Sequence, residues 1–189
     1  MWNNTEQRYS TMLIALHWLM LLLLAAVYAC IELNDLFPKG SAARDGLKSW
    51  HFMLGLSVLL LVGLRLLLRV VAGRPPSIRP SPPQWQERLA RLIQTLLYAL
   101  MIGMPLAGWM ALSAAGKPVP FFGWEWPPLL GPDKALASQI KELHEFVGNA
   151  GYWLIGLHTL AALFHHYWRR DNTLALMIPA LRSRPDRSD

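Results

Sequence analysis

Charge is scarce in this chain: Asp, Glu, Lys and Arg make up 16% of its 189 residues, while 53% are apolar and nine are tryptophan. A soluble domain carries about a quarter charged residues, so the balance argues against that class and for a compact integral membrane protein. Cysteine is nearly absent as well. Cys30 is the only one, which excludes an intrachain disulfide and any cluster of thiolate ligands and leaves it a packing role in the first apolar segment.

Long intervals without charge stand in place of what is missing. No charged residue occurs between Arg8 and Glu32, from Ser49 to Leu64, from Leu92 to Gly116 or from Phe146 to Trp168. Each interval is close to the ~20 residues that a spanning helix needs. The second is the shortest, and Arg65 and Arg69 extend it because their stems can lie along apolar surface while the charged heads reach the interface. The expected architecture is all-α: an integral membrane four-helix bundle forming a single domain over residues 1–189, with helices at about 11–33, 48–70, 88–112 and 143–168. The first run is longer than the ~7–15 residues of a signal-peptide core and has only Arg8 before it, so it is read as a retained helix.

The basic residues orient the bundle. Arg8 precedes the first segment; Arg65, Arg69, Arg74, Arg79, Arg88 and Arg91 flank the second connection; Arg169, Arg170, Arg182, Arg184 and Arg187 follow the fourth segment. These twelve of the eighteen basic residues fall on one side, which by the positive-inside rule places both termini in the cytoplasm. The net charge of +6 is then a topology signal, and no nucleic-acid partner is implied. Pro75 to Pro83 (PPSIRPSPP) cannot continue a helix and reads as an extended connector between helices two and three. Gly116 to Gly131 (GKPVPFFGWEWPPLLG) reads as an ordered outer loop with Trp124 and Trp126 as interface anchors. Pro105 should kink the third helix, and Gly103 and Gly108 allow a bulky group to approach its backbone.

Histidine carries the chemistry. His144 and His158 are fourteen residues apart, which puts them on one helix face about 21 Å apart. His17, on the inner half of helix one, lies level with His158, and His51, at the outer end of helix two, lies level with His144. Histidines inside a bilayer are costly unless partnered. Two matched pairs at two depths suit two bis-histidine haems, in which each iron is closed to other ligands and suited to electron transfer. Lys48 to Gly55 and Lys141 to Gly148 share the pattern K-x-x-H-x-x-x-G. Gly55 and Gly148 would leave room for a flat macrocycle, and Lys48 and Lys141 are candidate partners for its propionates. Arg65 lies fourteen residues after His51 and so on the same face at the inner level; with Arg69 it could neutralise propionates there. His165, seven residues after His158, lies about 20° off its face and roughly 10 Å nearer the cytoplasm. That is where a quinone head group could bind and take a proton. His166 points elsewhere and reads as interfacial.

Several short motifs, in order, carry a family resemblance over nearly the whole chain. They are Arg8-Tyr9 before His17-Trp18, the Arg65-Leu-Leu-Leu-Arg69 end of helix two, Gly151-Tyr152 before Gly156-Leu157-His158, and His165-His166-Tyr167 leading to Asp171-Asn172-Thr173-Leu174. The chain resembles the bacterial dihaem cytochrome b561 family, whose characterised branch is the superoxide oxidase, a superoxide:ubiquinone oxidoreductase. The resemblance implies that His17, His51, His144 and His158 are the axial ligands of two haem b groups, in a multi-pass protein of the bacterial inner membrane. It also implies electron entry at the outer end and a quinone site at the inner end. On this reading the enzyme passes electrons from a periplasmic donor, superoxide first, to ubiquinone, with His165 taking part in cytoplasmic proton uptake. The alternative is a non-catalytic electron-transfer subunit or shuttle that docks a periplasmic redox protein.

Overall fold

The computed structural model describes residues 3–181; Arg182, Arg184 and Arg187 lie outside them. Four long helices dominate: α1 (Thr11–Asn34), α2 (Ala42–Val71), α3 (Gln84–Ala114) and α4 (Lys134–Phe164). Their starts are set by short polar side chains that accept from backbone N–H groups the helix leaves unpaired. Ser10 accepts from Leu13, Ser41 from Arg44, and Asp133 from both Ala135 and Leu136. Helices two and four begin at Ala42 and Lys134, well before the apolar intervals from which their extents were read. Hydropathy marks the segment matched to the bilayer, whereas capping marks where the backbone turns. The helical ladder of α3 runs through Pro105 without ending.

Three of the four helices, α1, α2 and α3, are long and apolar enough to cross a membrane. The apolar part of α4 is diluted by Asn149, Tyr152, Trp153, His158 and Thr159. The outward surface is nonetheless strongly apolar, with Leu22, Leu67, Val70, Phe146, Leu160 and Trp153 all at least 65% exposed. Water tolerates no apolar surface of that extent, and a bilayer does.

The tightest packing joins α1, α2 and α3, where Met20, Val58 and Val62 are buried beneath Leu24, Val27, Tyr98 and Met101. α4 packs on α3 and only lightly on the other two. Side chains bridge it to α1: the Tyr28 hydroxyl donates to the Gly148 carbonyl at 2.9 Å. Tyr28 also lies against Tyr152, with ring centroids 4.3 Å apart, and Tyr152 donates to Glu32 at 2.6 Å. Gly151 is buried under this bridge. A Cβ there would overlap the Tyr28 hydroxyl and press on Leu100. Gly151→Ala is therefore expected to destabilise despite the ~1 kcal/mol helix-propensity gain, because overpacking costs about 1–3 kcal/mol. The check is thermal unfolding in detergent against Gly46→Ala, where a Cβ meets nothing within 4 Å and the propensity gain should show alone.

Between α3 and α4 the chain forms a hairpin, β1 (Val119–Phe121) pairing antiparallel with β2 (Trp124–Trp126). Its two-residue turn, Phe122-Gly123, has positive φ at both positions, 46° and 86°, the geometry that matches strand twist. The hairpin docks on α2 through Phe122, whose ring meets Trp50 and whose N–H points to Met53 sulfur. Trp124 is 78% exposed, in keeping with an anchor. Trp126 instead turns inward on Trp109 at 4.7 Å and on Phe121, so it holds the hairpin to α3.

At the opposite end, three segments close the bundle. Asn4 bonds to the carbonyls of Ala72 and Gly73, and Ser77 N–H donates to Glu6. Asn172 exchanges three hydrogen bonds with Ser77 and Arg79, and the Trp18 indole donates to Met177. The proline-rich connector is thus tied down on both sides. α4 continues here as a π-helical turn, His165–Arg169, which ends at Arg170 in the left-handed conformation (φ 54°) and leads into the short α5 (Thr173–Met177).

Candidate functional site

Four histidines come together as two pairs, one near each end of the bundle. At the end closed by residues 3–10 and 165–181, the His17 and His158 rings have centroids 6.3 Å apart and planes 71° to each other. At the hairpin end, His51 and His144 are separated by 6.2 Å at 73°. Each pair spans helices that do not pack closely, α1 with α4 and α2 with α4. Two imidazoles bound to opposite sides of one metal ion, each at about 2.0 Å, hold their ring centres about 6 Å apart. Both pairs have that separation.

Among the described residues, no three His, Cys, Asp or Glu side chains gather into a metal site. Each pair supplies two nitrogens only, so a metal there would need a group that brings its own donors, as a porphyrin does. The hairpin-end pair is set for this. His51 Nδ1 donates to the Val27 carbonyl at 3.0 Å, which leaves Nε2 with its lone pair free for a metal. His144 Nδ1 is buried beside the Met104 carbonyl, short of a full hydrogen bond, and a small closure would complete the same second contact. The ring can sit there because α3 offers Gly108, where a Cβ would stand 3.3 Å from His144 Cε1.

The other pair is arranged differently. Arg65, which can only donate, reaches His17 Nδ1 at 3.2 Å and the Tyr98 hydroxyl through Nε at 3.2 Å. Accepting at Nδ1 leaves the neutral ring's proton on Nε2, so ligation through Nε2 requires Arg65 to swing off the ring. It would then be a free guanidinium beside the site, suited to a carboxylate. Arg69 lies over the Tyr98 ring at 5.7 Å. Tyr9, before the first helix, joins this group; burial raises its phenol above the ordinary value, with Arg69 and Arg65 opposing.

The other sequence-derived candidates divide. A Cβ at Gly55 would meet nothing within 4 Å, which fits room for a flat group, whereas at Gly148 the Met104 methyl is 3.4 Å away. Lys141 is paired with Glu145 at 2.8 Å on an exposed face. Lys48 is half-buried. A cavity of about 650 Å³ lies under the hairpin between Lys117, Glu125, Trp126 and Leu129, and no histidine lines it.

His165 has a partner that no spacing rule indicated. Its Nδ1 is 2.5 Å from Asp171 Oδ2, and the Asp171 side chain is fully buried. Burial works against the Asp171 charge, but hydrogen bonds from His165 and Thr173 outweigh it and hold the carboxyl below its ordinary value. Tyr98 and Asp171 enter through contacts across elements that spacing does not indicate, whereas Gly108 admits the His144 ring at the α3 backbone, as its lack of a side chain predicts. Asp171 reaches back around a π turn and a left-handed residue, where helical periodicity gives no guide.

A model of the prokaryotic cytochrome b561 family matches residues 8–180. The chain is 40% identical over 172 residues to cytochrome b561 homolog 1 of Escherichia coli K12, covering 91% of this chain and 97% of that one. It is 35% identical over 177 residues to the probable superoxide oxidase CybB of Yersinia pestis, covering 94% and 99%. It is also 30% identical over 180 residues to cytochrome b561 homolog 2 of E. coli K12, covering 93% of each.

Proposed function

The chain belongs to the prokaryotic cytochrome b561 family, membrane proteins that bind haem b and transfer electrons, and from that premise we propose that it is an inner-membrane superoxide:ubiquinone oxidoreductase. The whole chain is one dihaem unit with both termini in the cytoplasm, so the hairpin end faces the periplasm. The observation that carries this reading is the pair of imidazole separations, 6.2 and 6.3 Å, at two depths. His51 and His144 hold the outer haem and His17 and His158 the inner one. When bound, the two haems supply one-electron transfer between an outer donor and an inner acceptor.

The protein's own groups do the rest. Val27 fixes the His51 tautomer, and Gly108 makes space for His144. Arg65, once off His17, and Arg69 neutralise propionate charge at the inner site, with Lys48 and Lys141 as the outer candidates. His165 serves the quinone, donating a proton as the acceptor is reduced. Two superoxide ions and two protons convert one quinone to one quinol and release two dioxygen molecules. The 35% identity to a probable superoxide oxidase supports superoxide as the donor.

The test uses purified protein in detergent. Superoxide generated in solution is expected to reduce the haems, seen as a rise of the α-band within seconds, and added ubiquinone to reoxidise them with formation of quinol. Haem reduction only after addition of a periplasmic redox protein would select a shuttle instead. A colourless purified protein would end both readings.

A further inference from the structure

The buried carboxylate at the end of α4 has a place in the chemistry as well as in the fold. We propose that Asp171 is the positioning residue of a His165–Asp171 proton-donating dyad. This rests on the reading that His165 serves the quinone.

The geometry is specific. The Asp171 side chain has no exposure to solvent and lies 2.5 Å from His165 Nδ1. Its second oxygen accepts from the Thr173 backbone N–H at 2.9 Å, so the carboxylate cannot rotate freely. The left-handed Arg170 turns the chain so that Asp171 N–H donates to the His165 carbonyl at 3.1 Å, closing a small ring of backbone around the pair. Burying a carboxylate in this way is costly unless it is matched by a donor that can carry positive charge. His165 Nδ1 is that donor, and only Nε2 remains for a further partner.

Charge placement follows from these contacts. An anion held against Nδ1 keeps a proton there at all times and stabilises the imidazolium that forms when Nε2 is also protonated. The proton on Nε2 is the one that leaves. Its N–H bond breaks as an O–H bond forms on a quinone oxygen, and the electrons would come one at a time from a one-electron donor of the superoxide class. The ring returns to the neutral Nδ1–H form, water restores the Nε2 proton, and a second transfer with the second electron completes the quinol. Asp171 passes no proton itself, because Nδ1 is never empty to receive one.

A cavity of about 300 Å³ lies on the Asp171 side of the dyad, lined by Gln7, Arg79, His166, Arg170, Asp171 and Asn172 together with Ala175, Leu176 and Leu181. The charged and titratable groups on the same turn are His166, Tyr167, Arg169 and Arg170, the connector adds Arg79, and α5, packed on that turn, contributes none. Asp171 is the anion in contact with His165.

The experiment compares Asp171→Asn, Asp171→Glu and His165→Gln in the haem-loaded protein. Asn keeps the shape and the acceptor for Thr173 but removes the charge. The alkaline limb of the pH–rate profile for quinone reduction is expected to move down by about one pH unit or more in Asp171→Asn, giving roughly a tenfold slower rate at the upper end, with recovery in Asp171→Glu. In the dithionite-reduced protein, ¹⁵N spectra of the His165 ring are expected to show the Nδ1–H tautomer in the parent and a tautomer mixture in Asp171→Asn. An Asp171→Asn profile and tautomer identical to the parent's, with His165→Gln impaired, would overturn the dyad and leave the quinone role of His165 standing. An unimpaired His165→Gln would remove that role and the dyad with it. A lower yield of folded Asp171→Asn with an unshifted profile would show that Asp171 is structural only, which also overturns the proposal.

Discussion

His51→Ala and His144→Ala are each expected to lower the haem-to-protein ratio from about two to about one, with the same haem lost in both. On the proposed assignment each histidine is one of two protein donors, among the described residues no three His, Cys, Asp or Glu side chains gather to offer a replacement, and a haem held by one imidazole is open to solvent and to exchange. His17→Ala and His158→Ala are expected to lose the other haem. The haems are distinguished by redox titration of the α-band, since each site has its own surroundings and so its own potential. Loss of one and the same haem from His17→Ala and His51→Ala would show that the pairing by depth is wrong. Partial retention is expected to be greater at the inner site, where Arg65 can hold a propionate, than at the outer one, where Lys141 is already paired with Glu145 at 2.8 Å.

Gly108→Leu is expected to produce the outer-site loss with all four histidines intact. A Cβ alone would stand 3.3 Å from His144 Cε1, a distance the ring can relieve by a few tenths of an ångström. The branched remainder of Leu would occupy the ring's own position and turn His144 away from His51. The haem ratio should fall by about one, with the inner haem's potential and spectrum unchanged. Gly108→Ala is the graded control, expected to keep the haem and to shift its potential. A Leu variant with two haems and parent-like spectra would mean that His144 does not use the space over Gly108. Gly103→Leu serves as the second comparison, since nothing lies within 4 Å of a Cβ there, and it should leave the outer haem in place.

The sequence carried the depth of each histidine but not the support around it. Depth follows from counting residues along a helix whose rise is fixed, so the matched levels of His17 with His158 and His51 with His144 could be read before any coordinates. Support depends on which helices touch. Gly108 and Tyr98 sit on α3, which carries no histidine, and Tyr28 sits farther along α1 from His17; their contacts to His144, Arg65 and Gly148 arise from the way the helices are turned toward one another. Trp126 shows the same division: an aromatic residue in a proline-rich loop looks like an interface anchor, yet hairpin pairing turns it onto Trp109. Gly148 belongs to a K-x-x-H-x-x-x-G echo that treats it like Gly55, but only Gly148 has Met104 against it.

What the sequence determined by itself is the apolar helical character, the four long segments and the vertical order of the histidines, because hydropathy and helical rise are properties of the local chain. Tertiary structure decided which rings face one another at about 6 Å, that Arg65 caps His17, and that a buried Asp171 backs His165. Those outcomes depend on the rotation of each helix about its axis and on a π turn that breaks periodicity at Arg170. Packing sets both, and no residue spacing encodes them.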